Sequence, residues 1–185
     1  MKIKVKKTIC LILSAFLIAA SLTACASKPA EWNGKTIYTH VLLGIDETDL
    51  FQYVGSVDYV FVGKVLEADH TITEENDRST YGIHVEKNIK GQLIHDIRCS
   101  KHGGLLEDGT LLLYESDRIR DTGLPEVGKT YIFMAYAQPD GGLLLSEFYG
   151  NTEYTEESLA QFENYHQNQI VSERERFVSK YDACA

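Results

Sequence analysis

Apolar and polar residues alternate in short stretches over most of the chain, and this period of two predicts strands. From Val57, the residues Val57, Tyr59 and Phe61 fall on one face and Val60 and Val62 on the other, so this strand is expected to be covered on both sides. Gly63 interrupts it and predicts a bulge or sharp bend. Further strands are expected at Thr80–Ile89, about Ile94–Ser100, Leu111–Tyr114, Tyr131–Ala137 and Leu143–Phe148. Lys90-Gly91, Gly103-Gly104 and Pro139-Asp140-Gly141-Gly142 supply turn chemistry between them. Short strands at this spacing predict a mainly β fold, a small barrel or sandwich.

Helical spacing marks both flanks. Asp46–Tyr53 reads as a short helix with Asp46 as its cap and Leu50, Phe51 and Val54 on its apolar side. Thr155–Tyr181 contains neither Gly nor Pro, and Leu159, Phe162, His166, Ile170, Phe177 and Tyr181 recur at steps of three, four or seven. The spacing predicts one long C-terminal helix of about 40 Å, packed by its stripe on the barrel.

The first residues follow another pattern. Lys2, Lys4, Lys6 and Lys7 precede an apolar run, Ile9–Ala20, broken by Ser14. That run is too short to cross a hydrocarbon core that needs about 20 residues, and it reads as a secretory leader over 1–24. Leu22-Thr23-Ala24-Cys25 resembles the lipobox of bacterial lipoproteins. The resemblance implies cleavage before Cys25, a diacylglyceryl group on its sulfur, and attachment to the extracytoplasmic face of the cell membrane. Residues 25–35 then form a lipidated tether and 36–185 the folded domain. Without the leader the chain keeps 14 Lys and Arg against 27 Asp and Glu, a formal charge of −13. Such a surface is a poor match for nucleic acid.

The passage Ser56-Val57-Asp58-Tyr59-Val60-Phe61-Val62-Gly63-Lys64-Val65 resembles the opening strand of small bacterial lipoproteins with a TIMP/netrin-like OB barrel. Val85–Gly91, Gly103-Gly104 and Gly128-Lys129-Thr130-Tyr131-Ile132-Phe133-Met134 match later parts of that pattern in order. The resemblance implies an OB-like barrel of five or six strands and supplies no catalytic residue. The free N-terminal cysteine with which inhibitors of this fold bind a target zinc does not carry over, because Cys25 is lipidated and precedes the first strand by many residues.

Candidate chemistry is sparse. His95, Cys99 and His102 are soft ligands in one short stretch, with Glu107 or Asp108 as a fourth group, but the spacing matches no zinc signature. Asp46-Glu47-Thr48-Asp49 lacks the glycine and distal glutamate of a calcium loop. No metal site, cofactor or catalytic residue is expected. Of four cysteines, Cys10 leaves with the leader and Cys25 carries lipid, so a disulfide between Cys99 and Cys184 is expected in an oxidising compartment. The expected function is a membrane-anchored, non-enzymatic protein-binding or inhibitory module with a protein partner. A metal- or ligand-binding lipoprotein serving a transporter is the alternative.

Overall fold

A computed structural model describes residues 30–185 apart from Leu43 and Glu74. The leader and Cys25 lie outside the described residues. In chain order the elements are β1 (Thr36–His40), α1 (Leu50–Ser56), β2 (Tyr59–Asp69), β3 (Arg78–Lys90), β4 (Asp96–His102), β5 (Gly104–Leu105), β6 (Leu111–Glu115), β7 (Thr130–Ala137), β8 (Leu143–Leu145), β9 (Thr152–Glu153) and α2 (Glu156–Gln167).

Five strands close a barrel in the order β2-β3-β4-β8-β7, and β7 returns to β2. All neighbours are antiparallel except β4 and β8, which run parallel and meet at Ser100 and Leu144. This closed, mainly β architecture is consistent with the OB-like barrel expected. Closure needs strands that curl, and β2 pairs with β3 through three register shifts, one of them between Val62 and Gly63. A side chain at Gly63 would press on Ile83, with Cβ only 2.6 Å from its Cγ2. Leu111–Tyr114, expected as a further strand, forms most of β6, which lies outside the barrel and joins β1 and β5 in a small second sheet.

Alternation places two cores on the two faces of β2 and β7. Inside the barrel, Phe61, Val65, Ile83, Val85, Ile97, Phe133 and Leu145 pack together. Outside it, Val60, Val62, Ile132 and Met134 are covered by Tyr53 and Val54 of α1, Leu159 and Phe162 of α2, and Phe148. Burying each large side chain is worth about 1.5–3 kcal/mol, so these two strands are the best-secured part of the fold. The helix α1 begins three residues later than the sequence suggests, because Asp49 and not Asp46 caps it by accepting from the backbone of Phe51 and Gln52. Asp46 turns back on Thr48 instead.

The long C-terminal helix does not form. α2 has 12 residues, with Thr155 and Ser158 capping its start reciprocally. Beyond Asn168 the chain becomes an extended strap, because its polar groups find partners that a helix would carry out of reach. Ile170 N donates to Phe51 O at 3.0 Å, and Arg174 Nε donates to Ser56 O at 2.7 Å. Arg176 donates to Gly55 O at 2.6 Å and to Val57 O at 3.1 Å. Both arginines also meet the buried carboxylate of Asp58, at 2.6 and 2.9 Å. The strap then stitches two hairpins together. Lys180 N donates to Gly141 O, Ile94 N to Tyr181 O, and Ala183 N to Gln92 O.

Lys90 joins this group by donating to Val54 O at 2.7 Å. Three cations thus gather where the dipole of the one-turn-plus α1 and Asp58 are negative. Burial, with Arg176 nearby, lowers the Lys90 pKa to about 8. The unfolded chain therefore binds the extra proton between about pH 8 and the ordinary value of 10.5, and folding gains stability as pH rises through that window. We expect the wild type to gain on the order of 1–2 kcal/mol relative to Lys90→Met between pH 7.5 and 9.5, read by urea unfolding. An unchanged gap between the two proteins would remove this assignment.

Candidate functional site

The outer face of β3 and β4 carries exposed polar side chains, Thr80, Asp96 and Arg98 among them. Antiparallel pairing turns Thr80, Gly82 and His84 of β3 outward, opposite Ser100, Arg98 and Asp96 of β4. On the other side of β3, Asp69, Glu67 and Lys64 of β2 face the same three residues. Three polar rows therefore cross three strands: Asp69–Thr80–Ser100, Glu67–Gly82–Arg98 and Lys64–His84–Asp96. In the middle row Arg98 reaches Glu67 at 2.6 Å across Gly82. A side chain at Gly82 would displace the Glu67 side chain from this bridge, with a Cβ 2.6 Å from the Glu67 Cγ. In the last row His84 Nδ1 and Asp96 Oδ1 are 2.8 Å apart. A groove of about 520 Å³ runs beside these rows, continued by Gly142, Lys180 and Tyr181. It presents donors and acceptors of both charge signs on a firm sheet. That suits a polar macromolecular surface better than a small apolar ligand, which an enclosed pocket would favour.

The sequence candidates for metal binding do not come together. Cys99 faces the barrel interior, and its thiol points toward Tyr81 O at 4.0 Å. His95 stacks on His84 with ring centroids 5.7 Å apart. His102 lies at the far end of β4 against Asp77. Glu107 joins none of them, and Asp108 accepts from Thr110. Among the described residues, no three His, Cys, Asp or Glu side chains are gathered as a metal site needs.

His102 belongs to a different cluster. Its Nδ1 is 3.0 Å from Asp77 Oδ2, where Tyr114 Oη also donates at 2.8 Å, and its Nε2 faces Glu147 at 3.9 Å. Burial works against the Asp77 carboxylate, but the bonds from Tyr114 and His102 outweigh it and hold its pKa below the ordinary range. Burial and the neighbouring carboxylate push the Tyr114 hydroxyl up. The group ties β3, β4, β6 and the chain after β8 together.

Behind it sits a feature the sequence reading missed. Lys101 and Asp121 form an ion pair with both side chains fully buried. Lys101 follows Ile97 and Cys99 in the inward row of β4, and this phase was the available signal. Burial pushes the Asp121 pKa up, while Lys101 and the backbone of Gly123 and Thr122 draw it back.

The expected Cys99–Cys184 disulfide is not formed. Both are free thiols, Cys99 buried and Cys184 exposed. In the inward row, Cys99 packs as a small apolar side chain. The C-terminus is tied down instead by backbone bonds, Ala183 N to Gln92 O at 2.7 Å among them. Burial pushes the Cys99 thiol well up. A thiol reagent applied to the native protein should modify Cys184 at once and Cys99 only after unfolding, as peptide mapping would read. A Cys99–Cys184 disulfide-linked peptide from the unreduced protein would contradict this.

No protein-family model matches this chain, and comparison with curated proteins gave no match.

Proposed function

We propose that this protein is a lipoprotein, attached through Cys25 to the extracytoplasmic face of a cell membrane, whose OB-like barrel is a non-enzymatic protein-binding or inhibitory module of the TIMP/netrin-like kind. The observation that carries the binding role is the set of polar rows across β2, β3 and β4, open to solvent beside a groove. This face lies between the loop before β3 and the β7–β8 turn, the surface that OB barrels use for ligands. The analogy is one of fold, so the chemistry of the face decides the partner. The rows carry no run of exposed aromatic side chains on which bases would stack, and the mature chain is acidic, which argues for a protein rather than a nucleic acid. The anchor is supported by Leu22-Thr23-Ala24-Cys25 behind a basic and apolar leader.

Arg98 is the test residue, because it is exposed and central to the rows. Arg98→Glu places two carboxylates across Gly82 and should leave the barrel folded. Chemical cross-linking on whole cells, followed by capture of the protein, should give a partner band with wild type that falls at least tenfold with Arg98→Glu. Equal capture by both proteins would contradict the assignment of the partner to this face.

A further inference from the structure

The small sheet presents a second surface that the polar rows do not use. β1 is its edge strand, paired with β6 on one side. Four large apolar side chains lie on or beside β1 in the open: Trp32 is 60 % exposed, Leu42 85 %, and Ile37 and Tyr38 37 % each. Ile37 and Tyr38 are neighbours in a strand and point to opposite sides. The strand therefore stands out as a rim with apolar groups on both flanks. An exposed edge of this kind is a liability unless something covers it.

The route of the chain says what covers it. Asn33 is fixed to the fold, its N–H donating to Gly109 O at 2.9 Å and its side chain to Asp108 O at 2.9 Å. Seven residues separate it from Cys25, which makes eight Cα-to-Cα steps. Fully extended they reach at most about 29 Å. If Cys25 carries lipid in the bilayer, the corner of the domain holding Asn33 and the start of β1 is held near the headgroups, and Trp32 lies between anchor and fold. The indole N–H of Trp32 donates to Lys35 O at 3.0 Å, which sets the ring beside β1. Tryptophan and tyrosine are the side chains that favour the membrane interface, with an apolar body and a polar tip.

Charge agrees. The chain is strongly acidic, yet two of the acids beside this rim are paired with arginines. Arg120 holds Glu115 at 2.7 Å and covers the Tyr38 ring at 4.4 Å, and Arg118 holds Asp46 at 2.9 Å. An anionic headgroup layer meets less repulsion here than the net charge suggests.

We propose that the rim of Trp32, β1 and Leu42 lies against the headgroup layer of the protein's own membrane, so that the domain stands on the bilayer by its β1 edge. This rests on the lipid anchor at Cys25, and two readouts separate the claims. Mass spectrometry of protein purified from its membranes tests lipid on Cys25. The orientation is then read on protein attached through Cys25 to vesicles of phosphatidylglycerol and phosphatidylethanolamine, by its own lipid or, if it carries none, by a maleimide phospholipid on a Cys184→Ser chain that starts at Cys25, so that the exposed second thiol cannot react. Trp32 is the one tryptophan in the chain, so its fluorescence reports the rim alone. Its emission should shift to shorter wavelength on the vesicles, and brominated lipid should quench it at least twofold. Leu42→Asp should reduce that quenching while circular dichroism stays unchanged. Emission like that of a water-exposed indole with no quenching would overturn the proposal. So would quenching absent from a rim covered by a second copy, seen as energy transfer that grows with surface density.

Discussion

Replacing Asp121 by alanine should lower stability by about 3–5 kcal/mol, the largest single-residue loss we expect outside the hydrophobic core. The substitution leaves the Lys101 ammonium fully buried with its carboxylate gone. Burial of an unpaired charge costs several kcal/mol, whereas the pair itself roughly balances its own desolvation. For a domain of this size the loss corresponds to a melting temperature lower by about 10 °C. The double replacement Lys101→Met with Asp121→Leu removes both charges and keeps volume, and it should recover most of the loss. Thermal and urea unfolding read both. A drop below 1 kcal/mol in Asp121→Ala, or a double variant as weak as the single, would show that the pair is not dry.

The second large effect is expected at Asp58. Its carboxylate pairs with Arg174 at 2.6 Å and accepts from Arg176 at 2.9 Å and from the backbone N–H of Ala137 at 2.9 Å. Asp58→Ala removes all three at once and leaves Arg174, Arg176 and Lys90 with no carboxylate between them. A cost of about 2–4 kcal/mol follows from unpairing partly buried charges and a buried N–H. The strap should detach before the barrel opens, since its exposed Ile170, Val171 and Val178 contribute little burial. Limited trypsin digestion should therefore cut at Arg174 or Arg176 in Asp58→Ala while the barrel remains intact. Protection equal to wild type would contradict the clamp.

How far the sequence carried the fold depended on whether local pattern and tertiary contact agreed. In β2 they agreed. From Tyr59 to Val65 apolar residues fall on both faces, and the structure covers both, Tyr59, Phe61 and Val65 in the barrel interior and Val60 and Val62 under α1 and α2; Val57, expected on the face of Tyr59 and Phe61, instead caps α1 and packs in the outer core. Gly63 sits at a register shift for the same steric reason that made it conspicuous. After Asn168 they disagreed. Helical spacing through Ile170, Phe177 and Tyr181 is compatible with an extended strap when Phe177 and Tyr181 pack on the barrel and Ile170 stays exposed. Arg174 and Arg176 decided between the two, and their partner Asp58 lies more than a hundred residues earlier, beyond any local pattern. The β1 strand was hidden because its side chains are mostly exposed and give no alternation of burial. The polar rows were half legible. Thr80, Gly82 and His84 alternate visibly in β3, but their alignment with Glu67 and Arg98 depends on registers shifted by bulges. Cys99 and Cys184 were paired by counting, and counting carries no direction: one thiol faces the barrel interior and the other is exposed.

A membrane-anchored binding module depends most directly on the state of Cys25. Protein purified from the membrane of its own cells should be digested and its N-terminal peptide weighed. The lipoprotein reading requires a chain that starts at Cys25 and carries a diacylglyceryl group on that sulfur, with Cys25→Ala giving neither the cleavage nor the lipid. A membrane-derived chain that begins elsewhere, or one that begins at Cys25 with an unmodified thiol, would contradict it.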